Sequence, residues 1–310
     1  MAKTTSIQLG RLKRGELEEA QRIVRLAFGT FLGLPNPLEF MGDRSLIAPR
    51  WRSSHVKVIG ARENGRLIGS NVIIRWGSFG FFGPLTVLPE YWNRGIAQRL
   101  LEATMKVFDQ WRVRQTGLFT FPHSVKHINL YQKFGYWPRY LTAVMARTPD
   151  GQAQAGTLLS SLGKSAGEGA IGACTKLTGK IDPGLDLGGE IGAILKQGTG
   201  DTVLAYTRHV LDGFAICASG PGSEGGAKLC YIKFAAARSG DAFDRLLGAC
   251  DAFAASRGVS IEAGVNLARE DAFTRMHRHG YRTMFHGLAM QRPNAEGYNR
   301  ADVYVMDDWR

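Results

Sequence analysis

The chain repeats itself at a fixed offset of 145 residues, and this repeat restricts the folds that it can adopt. Over residues 95–147, nine residues are identical to the residue 145 positions further on. Two of these identities are glycines that follow or precede a predicted helix, Gly95 with Gly240 and Gly135 with Gly280. Glycine is favoured at such positions because it tolerates backbone conformations that other residues avoid. The repeat therefore predicts two tandem copies of one fold.

Length and composition fit two domains. A chain of 310 residues with 44% hydrophobic and 21% charged residues can bury two cores. The composition shifts to Gly, Ala and Ser after residue 148, which places the predicted boundary near residue 150 and gives domains 1–149 and 150–310. The sequence has no apolar stretch of roughly 18 residues, as a membrane span needs, and no signal-peptide core at residues 1–4. We therefore expect a cytoplasmic protein.

Each half is predicted to combine helices with a sheet. In the first half, apolar spacing predicts a helix over 15–28, and the turn Glu63-Asn64-Gly65 predicts a hairpin between strands 56–61 and 66–76. Further elements of the first half are a strand at 79–87, a helix at 98–112, a strand at 117–121, a helix at 124–134 and a strand at 140–147. The same order of strands and helices is predicted for the second half, between residues 202 and 291. This order predicts a mixed α/β fold in each half.

The positive charge of the chain lies entirely in its first half. The net charge is +12, but residues 1–149 hold 22 Lys and Arg against 9 Asp and Glu, whereas residues 150–310 hold 17 against 18. A basic domain attracts polyanions, which include both nucleic acids and phosphorylated cofactors. Charge alone therefore leaves the ligand open, and a merely solvated basic surface is the third interpretation.

A loop between a predicted strand and a predicted helix, residues 87–97, has the features of a phosphate site. Free backbone N–H groups and the positive end of the helix dipole meet at such a helix start, where anions bind. Gly95 and Ala97 would let the backbone approach a pyrophosphate closely, and Arg94 would add charge. An ordinary strand-to-helix turn is the alternative.

This loop resembles the pyrophosphate loop of the GNAT superfamily of N-acetyltransferases, V-x-P-x-x-(Q/R)-x-x-G-x-(G/A). Val87, Pro89, Gly95 and Ala97 match the pattern, and Trp92 stands where the family has Gln or Arg. In that family the loop contributes mainly backbone N–H groups, so this departure leaves the mechanism intact. The resemblance implies that acetyl-CoA, or another acyl-CoA, contacts Val87, Asn93, Arg94, Gly95, Ile96 and Ala97.

A second segment, Asn129 to Tyr136, is similar to the family's region of Asn, Tyr and a final Gly-Tyr. With the loop it extends the resemblance over about residues 1–147 and implies two tandem GNAT folds. The implied chemistry is direct attack of an amine on the thioester. A backbone N–H near Val87 would polarise the thioester carbonyl, Tyr131 would protonate the departing thiolate, and Asn129 would hydrogen-bond the cofactor. A packed helical tyrosine is the alternative for Tyr131.

The sequence leaves three candidates for the general base. Glu90 and His123 both lie near the predicted site in the sequence, and ordered water is the third candidate.

His123 and His127 have the i, i+4 spacing of metal ligands on a helix, but a third ligand is missing, so we predict no metal. The acidic segment Asp307-Asp308-Trp309 could reach the site and bind an amine, although we expect it to be a solvated tail.

The second copy lacks the matching chemistry. At the offset of 145, Met276 replaces Tyr131, Thr274 replaces Asn129, and Asp241 places a negative charge where phosphate would lie. We therefore expect a degenerate second copy that shapes the acceptor cleft, with catalysis in residues 1–149.

The leading functional prediction is a transferase that moves an acetyl group from acetyl-CoA to a primary amine of an unidentified acceptor, with acyl-CoA and that acceptor as its partners. A non-catalytic acyl-CoA-binding or sensory protein is the alternative. Nucleic-acid binding, which only the charge favours, is a weaker third hypothesis.

Overall fold

The computed structural model describes residues 6–149 and 155–310. The boundary predicted near residue 150 lies outside these described residues. The helices are α1 Leu17–Phe31, α2 Ala48–Trp51, α3 Ile96–Trp111, α4 Val125–Gln132, α5 Lys164–Ile181, α6 Gly188–Gln197, α7 Gly240–Ser256 and α8 Glu270–Arg278. The strands are β1 Gln8–Arg11, β2 Val56–Glu63, β3 Arg66–Trp76, β4 Phe79–Val87, β5 Gln115–Thr120, β6 Trp137–Arg147, β7 Thr157–Leu158, β8 Gly200–Thr207, β9 Val210–Gly220, β10 Gly226–Ala237, β11 Ser260–Asn266, β12 Arg282–Arg292 and β13 Tyr304–Met306. Among the described helices, none is both long enough and apolar enough to cross a bilayer.

The first half opens with an antiparallel meander of β1 to β4. Asn64 and Gly65 both have positive φ, 52° and 80°, which is the conformation of a two-residue hairpin turn. Glu63 pairs with Arg66 across this turn, so the predicted hairpin of β2 and β3 is confirmed. Alternating apolar residues of these strands pack against the amphipathic α1 and α3 in a shared core.

The repeat is visible in the elements themselves. β12 begins and ends 145 residues after β6, and α8 begins 145 residues after α4. Gly135 and Gly280, which occupy the turn before these strands, have φ of 82° and 93°. The prediction of two tandem copies of a mixed α/β fold is confirmed.

The two copies exchange strands. β12, from the second copy, lies between β5 and β6 of the first and pairs antiparallel with both. Reciprocally, β6 lies between β12 and β11 of the second copy. The described strands therefore form one continuous sheet, and neither copy has a complete sheet without the other.

Neighbouring parallel strands separate at one place in each copy. β4 and β5 pair only from Phe79 to Phe81, opposite Gln115 to Gly117, and diverge beyond that point. β10 and β11 likewise pair only from Leu229 to Ile232. In the second copy, however, β13 pairs with the far end of β10 and fills the gap, whereas in the first copy the gap stays open.

The expectation that Asp307-Asp308-Trp309 is a solvated tail is wrong. Both aspartates are only 2% exposed. Asp307 accepts hydrogen bonds from Arg269 at 2.8 Å and from Tyr298 at 2.7 Å, and Asp308 accepts one from Tyr231 at 2.7 Å. Burial of these carboxylates is tolerated because each is paired. The segment is a structural part of the molecule that follows β13 into the interior.

Candidate functional site

The open gap between β4 and β5 leads into a cavity of about 970 Å³. Its walls come from α1, β4, the end of β5, the start of α3 and one face of α4, all in the first copy. The second copy closes one side with Tyr231, Glu262, Phe285 and Trp309. The cavity is therefore built by both copies, and its size is at the upper end for small-molecule sites.

The start of α3 presents unpaired backbone donors to this cavity. Gly95 precedes the helix with φ of 73° and no side chain caps the helix. Within the described residues, no group accepts a hydrogen bond from the backbone N–H groups of residues 93–98. Four of the predicted cofactor residues, Asn93, Gly95, Ile96 and Ala97, line the cavity here. Free donors at a helix start form an anion site.

Arg94, also predicted to contact the cofactor, does not line the cavity. Its guanidinium binds the Glu63 carboxylate at 2.8 Å and lies over the Tyr91 ring. The cationic side chains that do line the cavity near the loop come from α4 and its C-terminal end, Lys126 and Lys133. Lys126 donates to the Asn93 side chain at 2.5 Å, and neither lysine has a carboxylate partner among the described residues. Both are available to an anionic ligand.

Val87 forms part of the cavity wall at the end of β4, where this strand has separated from β5. Its carbonyl accepts a hydrogen bond from the Trp92 indole at 2.8 Å. Trp92, the departure from the family pattern, thus closes the loop onto the strand that precedes it. Asn129 lines the cavity from the exposed face of α4.

A bulge in β4 lies at the opening of the gap. Asn71 of β3 pairs with Leu85, and Ile73 pairs with Phe82. Two residues of β4, Gly83 and Pro84, therefore lie opposite the single residue between Asn71 and Ile73. The buried Arg50 donates to the Gly83 carbonyl at 2.7 Å and to the Glu224 carboxylate at 2.5 Å. Since Glu224 belongs to the second copy, Arg50 fixes the bulge of the first copy to the second.

Tyr131 lies in the cavity wall with 8% of its surface exposed. Burial raises the pKa of its phenol well above the ordinary value, and a hydrogen bond with Thr120 offsets this only in part. The phenol is therefore protonated throughout the neutral and mildly alkaline range. A protonated phenol beside an open cavity can donate a proton to a leaving group.

The two side chains considered as general bases differ in whether they line the cavity. Glu90 does not line the cavity: its carboxylate is exposed and binds Arg66 at 3.3 Å. His123 lines the cavity and its ring stacks on Phe31 with centroids 5.8 Å apart. His127 also lines it, and burial, followed by the charges of Lys126 and His123, lowers its pKa. In the described part of the chain, no cluster of three His, Cys, Asp or Glu side chains could hold a metal.

The corresponding site of the second copy is closed by its own residues. Ser239 caps α7 by accepting a hydrogen bond from the Ala242 N–H at 3.3 Å. The Arg275 guanidinium packs directly against Gly240 and binds Asp244 and Asp271. With β13 in the strand gap, this copy leaves neither a free helix start nor an open gap for a cofactor.

Several cavity residues escaped prediction from the sequence. Arg50 lies in a helix of four residues with no motif, and Glu262 faces the cavity from a strand 145 residues after Gly117. Trp309 belongs to the segment that was expected to be solvated; it lines the cavity, as the alternative for this segment allowed, whereas Asp307 and Asp308 do not. Only the three-dimensional pairing of the copies brings these side chains to one cavity, so a local signal could not identify them.

Residues 28–136 match the model of the Acetyltransferase (GNAT) family. This range contains the loop, Val87, Asn129 and Tyr131. No curated protein sequence matches the chain.

Solved structures share the fold over nearly the whole chain. A Pyrococcus horikoshii protein provisionally assigned as an acetyltransferase is 14% identical and superposes with a TM-score of 0.71 over 96% of this chain and 93% of its own. A GCN5-related N-acetyltransferase of Sphaerobacter thermophilus is 12% identical, with a TM-score of 0.56 over 92% and 95%. The glucosamine N-acetyltransferase region of a fungal multi-domain GH3 β-N-acetylglucosaminidase is 12% identical, with a TM-score of 0.63 over 94% and 38%. At these identities the similarity establishes the fold.

Proposed function

Residues 28–136 carry an acetyltransferase domain of the GNAT family, and on this basis we propose that the protein transfers the acetyl group of acetyl-CoA to a primary amine. One observation carries the proposal: the unpaired N–H groups at the start of α3, the open gap between β4 and β5 and the buried Tyr131 all line one cavity. The N–H groups would bind the pyrophosphate, the gap would receive the acyl end of the cofactor, and Tyr131 would protonate the leaving thiolate.

The chemistry needs no covalent enzyme intermediate. The acceptor amine forms a bond to the thioester carbonyl carbon while the carbonyl oxygen takes up negative charge, which a backbone N–H near Val87 would stabilise. The carbon–sulfur bond then breaks, and Tyr131 donates a proton to the thiolate. Of the side chains considered as bases, His123 lines the cavity and Glu90 does not, so we assign removal of the amine proton to His123 or to water. Asn129 would hydrogen-bond the cofactor chain.

Trp309 supports acetyl as the transferred group. Its ring lies against Gly117, where a Cβ atom would come within 2.7 Å of the indole, and Gly117 is the last residue of β5 that pairs with β4. The indole is held by hydrogen bonds to Tyr298 at 2.8 Å and to Asp307 at 2.9 Å. The apex of the gap is therefore closed by a large, fixed side chain, which leaves room for a short acyl group.

The role of Tyr131 predicts the effect of removing its hydroxyl. In Tyr131→Phe we expect kcat for thiol release from acetyl-CoA to fall about 100-fold or more, the range of acid catalysis, while CoA affinity stays within about threefold. Tyr136→Phe is the matched control, because Tyr136 is also buried, also has a raised phenol pKa and does not line the cavity. Stopped-flow or plate-based thiol detection measures both variants.

The same assay separates the enzyme from the non-catalytic alternative. If the wild-type protein binds acetyl-CoA by calorimetry but releases no thiol with any amine of a broad panel, the protein is an acyl-CoA-binding or sensory protein and the proposal is wrong. Equal losses in Tyr131→Phe and Tyr136→Phe would contradict the role of Tyr131 as the acid.

The closed site of the second copy predicts the binding stoichiometry. We expect isothermal titration calorimetry to give one CoA per chain, because β13 and Arg275 occupy the positions that a second cofactor would take. Ala97→Asp, at the helix start that lines the cavity, should weaken this single binding event about 1,000-fold. Two binding events per chain would contradict the degenerate second copy.

A further inference from the structure

One part of the cavity wall is aromatic. It consists of four phenylalanines, called the aromatic wall here: Phe28 and Phe31 of α1, Phe40 and Phe121. The ring centroids of Phe28 and Phe40 are 5.2 Å apart, those of Phe28 and Phe121 are 6.1 Å apart, and those of Phe31 and Phe121 are 5.1 Å apart. These are the separations of packed aromatic pairs, so the four rings form one continuous surface.

The aromatic wall leads to the proposed acid. The Phe31 ring lies 5.1 Å from the His127 ring, which lies 6.5 Å from the Tyr131 ring. An acceptor whose apolar part packs on the aromatic wall would therefore have its adjoining polar group beside His127 and Tyr131, where the thioester would be attacked. The wall belongs to α1 and to the residues around it, whereas the phosphate-binding donors belong to α3, so the two parts of the cavity are built by different elements.

These rings stay partly exposed although the first copy has an apolar core nearby. Phe28, Phe31, Phe40 and Phe121 are half-buried, whereas the phenylalanines inside this copy's core are at most 4% exposed, namely Phe79, Phe81, Phe82 and Phe108. Four phenylalanines grouped on one concave surface indicate a binding site for an apolar group, because their exposure to water is unfavourable until something covers them.

The charges around the cavity oppose a polycationic acceptor. Among the described lining residues, Glu262 is the one with a carboxylate side chain. It is already bound by Arg44 at 3.0 Å and by Arg310 at 2.8 Å. Burial by itself raises the pKa of the Glu262 carboxyl, but these two guanidiniums hold it below its usual range. No other side-chain carboxylate of the described lining residues is left to pair with the extra ammonium groups of a polyamine.

A sugar amine fits the wall no better. Buried hydroxyl groups need hydrogen-bond partners, and the four phenylalanine rings supply none. We propose that the aromatic wall binds the apolar, ring-bearing body of the acceptor and that the acceptor is a small monoamine of the arylalkylamine class. This inference rests on the proposed acetyl transfer and adds the chemical class of the amine.

The wild-type protein tests the class directly. We expect the kcat/KM of phenylethylamine, with acetyl-CoA saturating, to exceed those of spermidine and of glucosamine by about tenfold or more, as covering one phenylalanine ring predicts. A preference for spermidine or glucosamine would overturn the inference while leaving acetyl transfer established. Transfer to other amines of the broad panel but not to phenylethylamine would likewise overturn the inference, whereas acetyl-CoA binding without transfer to any amine of that panel would count against the proposed function.

Two variants test the wall itself. In Phe31→Ala and, with a smaller change of volume, Phe121→Leu, we expect the KM of phenylethylamine to rise about tenfold, with CoA affinity by calorimetry unchanged. Phe273→Ala is the control, because Phe273 is also half-buried and packs on a histidine, at 6.4 Å, but does not line the cavity. If Phe31→Ala and Phe121→Leu retain the thermal unfolding midpoint and the wild-type KM, the aromatic wall does not bind the acceptor.

Discussion

Replacement of Ala97 by aspartate is expected to weaken CoA binding about 1,000-fold without weakening the fold. Ala97 lies in the first turn of α3 and lines the cavity beside the unpaired N–H groups. A carboxylate there would stand within about 4 Å of the pyrophosphate, where two like unit charges repel by roughly 4 kcal/mol at an effective dielectric constant of about 20. Titration calorimetry with CoA measures the loss.

The same substitution should act in the opposite direction on the helix. The first turn of α3 has no acidic residue, and a carboxylate at a helix start stabilises the helix by about 0.3–1 kcal/mol. We therefore expect the thermal unfolding midpoint without CoA to be unchanged or higher. Ala97→Asn is the matched control, since it has nearly the same volume without the charge. Equal losses of affinity in the two variants would show that volume, and not phosphate repulsion, is responsible.

Shortening the side chain of Trp309 is expected to change which acyl group is transferred. In Trp309→Leu we expect kcat/KM with butyryl-CoA, relative to acetyl-CoA, to rise about tenfold or more, because one methylene group in a closed pocket is worth roughly 1–3 kcal/mol of discrimination. The space comes from the ring that now lies against Gly117 at the apex of the gap. Initial rates with acetyl-, butyryl- and hexanoyl-CoA measure the change.

Trp309→Phe separates ring volume from hydrogen bonding. Both variants lose the indole N–H that donates to Tyr298 and Asp307, but phenylalanine keeps a ring at the apex. We expect Trp309→Phe to retain the preference for acetyl-CoA more closely than Trp309→Leu. Equal broadening in both variants would mean that the fixed position of the segment, and not its bulk, limits the acyl group.

Short sequence motifs predicted those parts of the structure that depend only on residues close together in the chain. Asn64-Gly65 specifies a tight hairpin because both residues tolerate positive φ, and Gly95 marks the start of α3 for the same reason. Tyr131 could be found because it lies in a short motif on one helix. The repeat identified the two copies since identities at a constant offset do not depend on how the copies pack.

The parts that depend on the association of the copies could not be predicted. A strand that pairs within its own copy and a strand exchanged with the other copy have the same alternation of side chains, so nothing in β6 or β12 shows the exchange. Glu90 is near the loop in sequence, yet the short turn that carries it directs its carboxylate to Arg66 and to solvent. Asp307 and Asp308 are buried because Arg269 and Tyr231 come from distant parts of the chain to pair with them.

The exchange of β6 and β12 also has a consequence for how this protein is made and how it can change. A nascent chain that has released residues 1–149 still lacks β12, which separates β5 from β6 in the finished sheet. The first copy therefore stays unfinished until residue 292 has been synthesised. The second copy has Met276 at the position of Tyr131, a capped helix start and a filled strand gap, yet deletion of its strands would remove the support of the cavity in the first copy. The framework of both copies is therefore needed to maintain the cavity of the first.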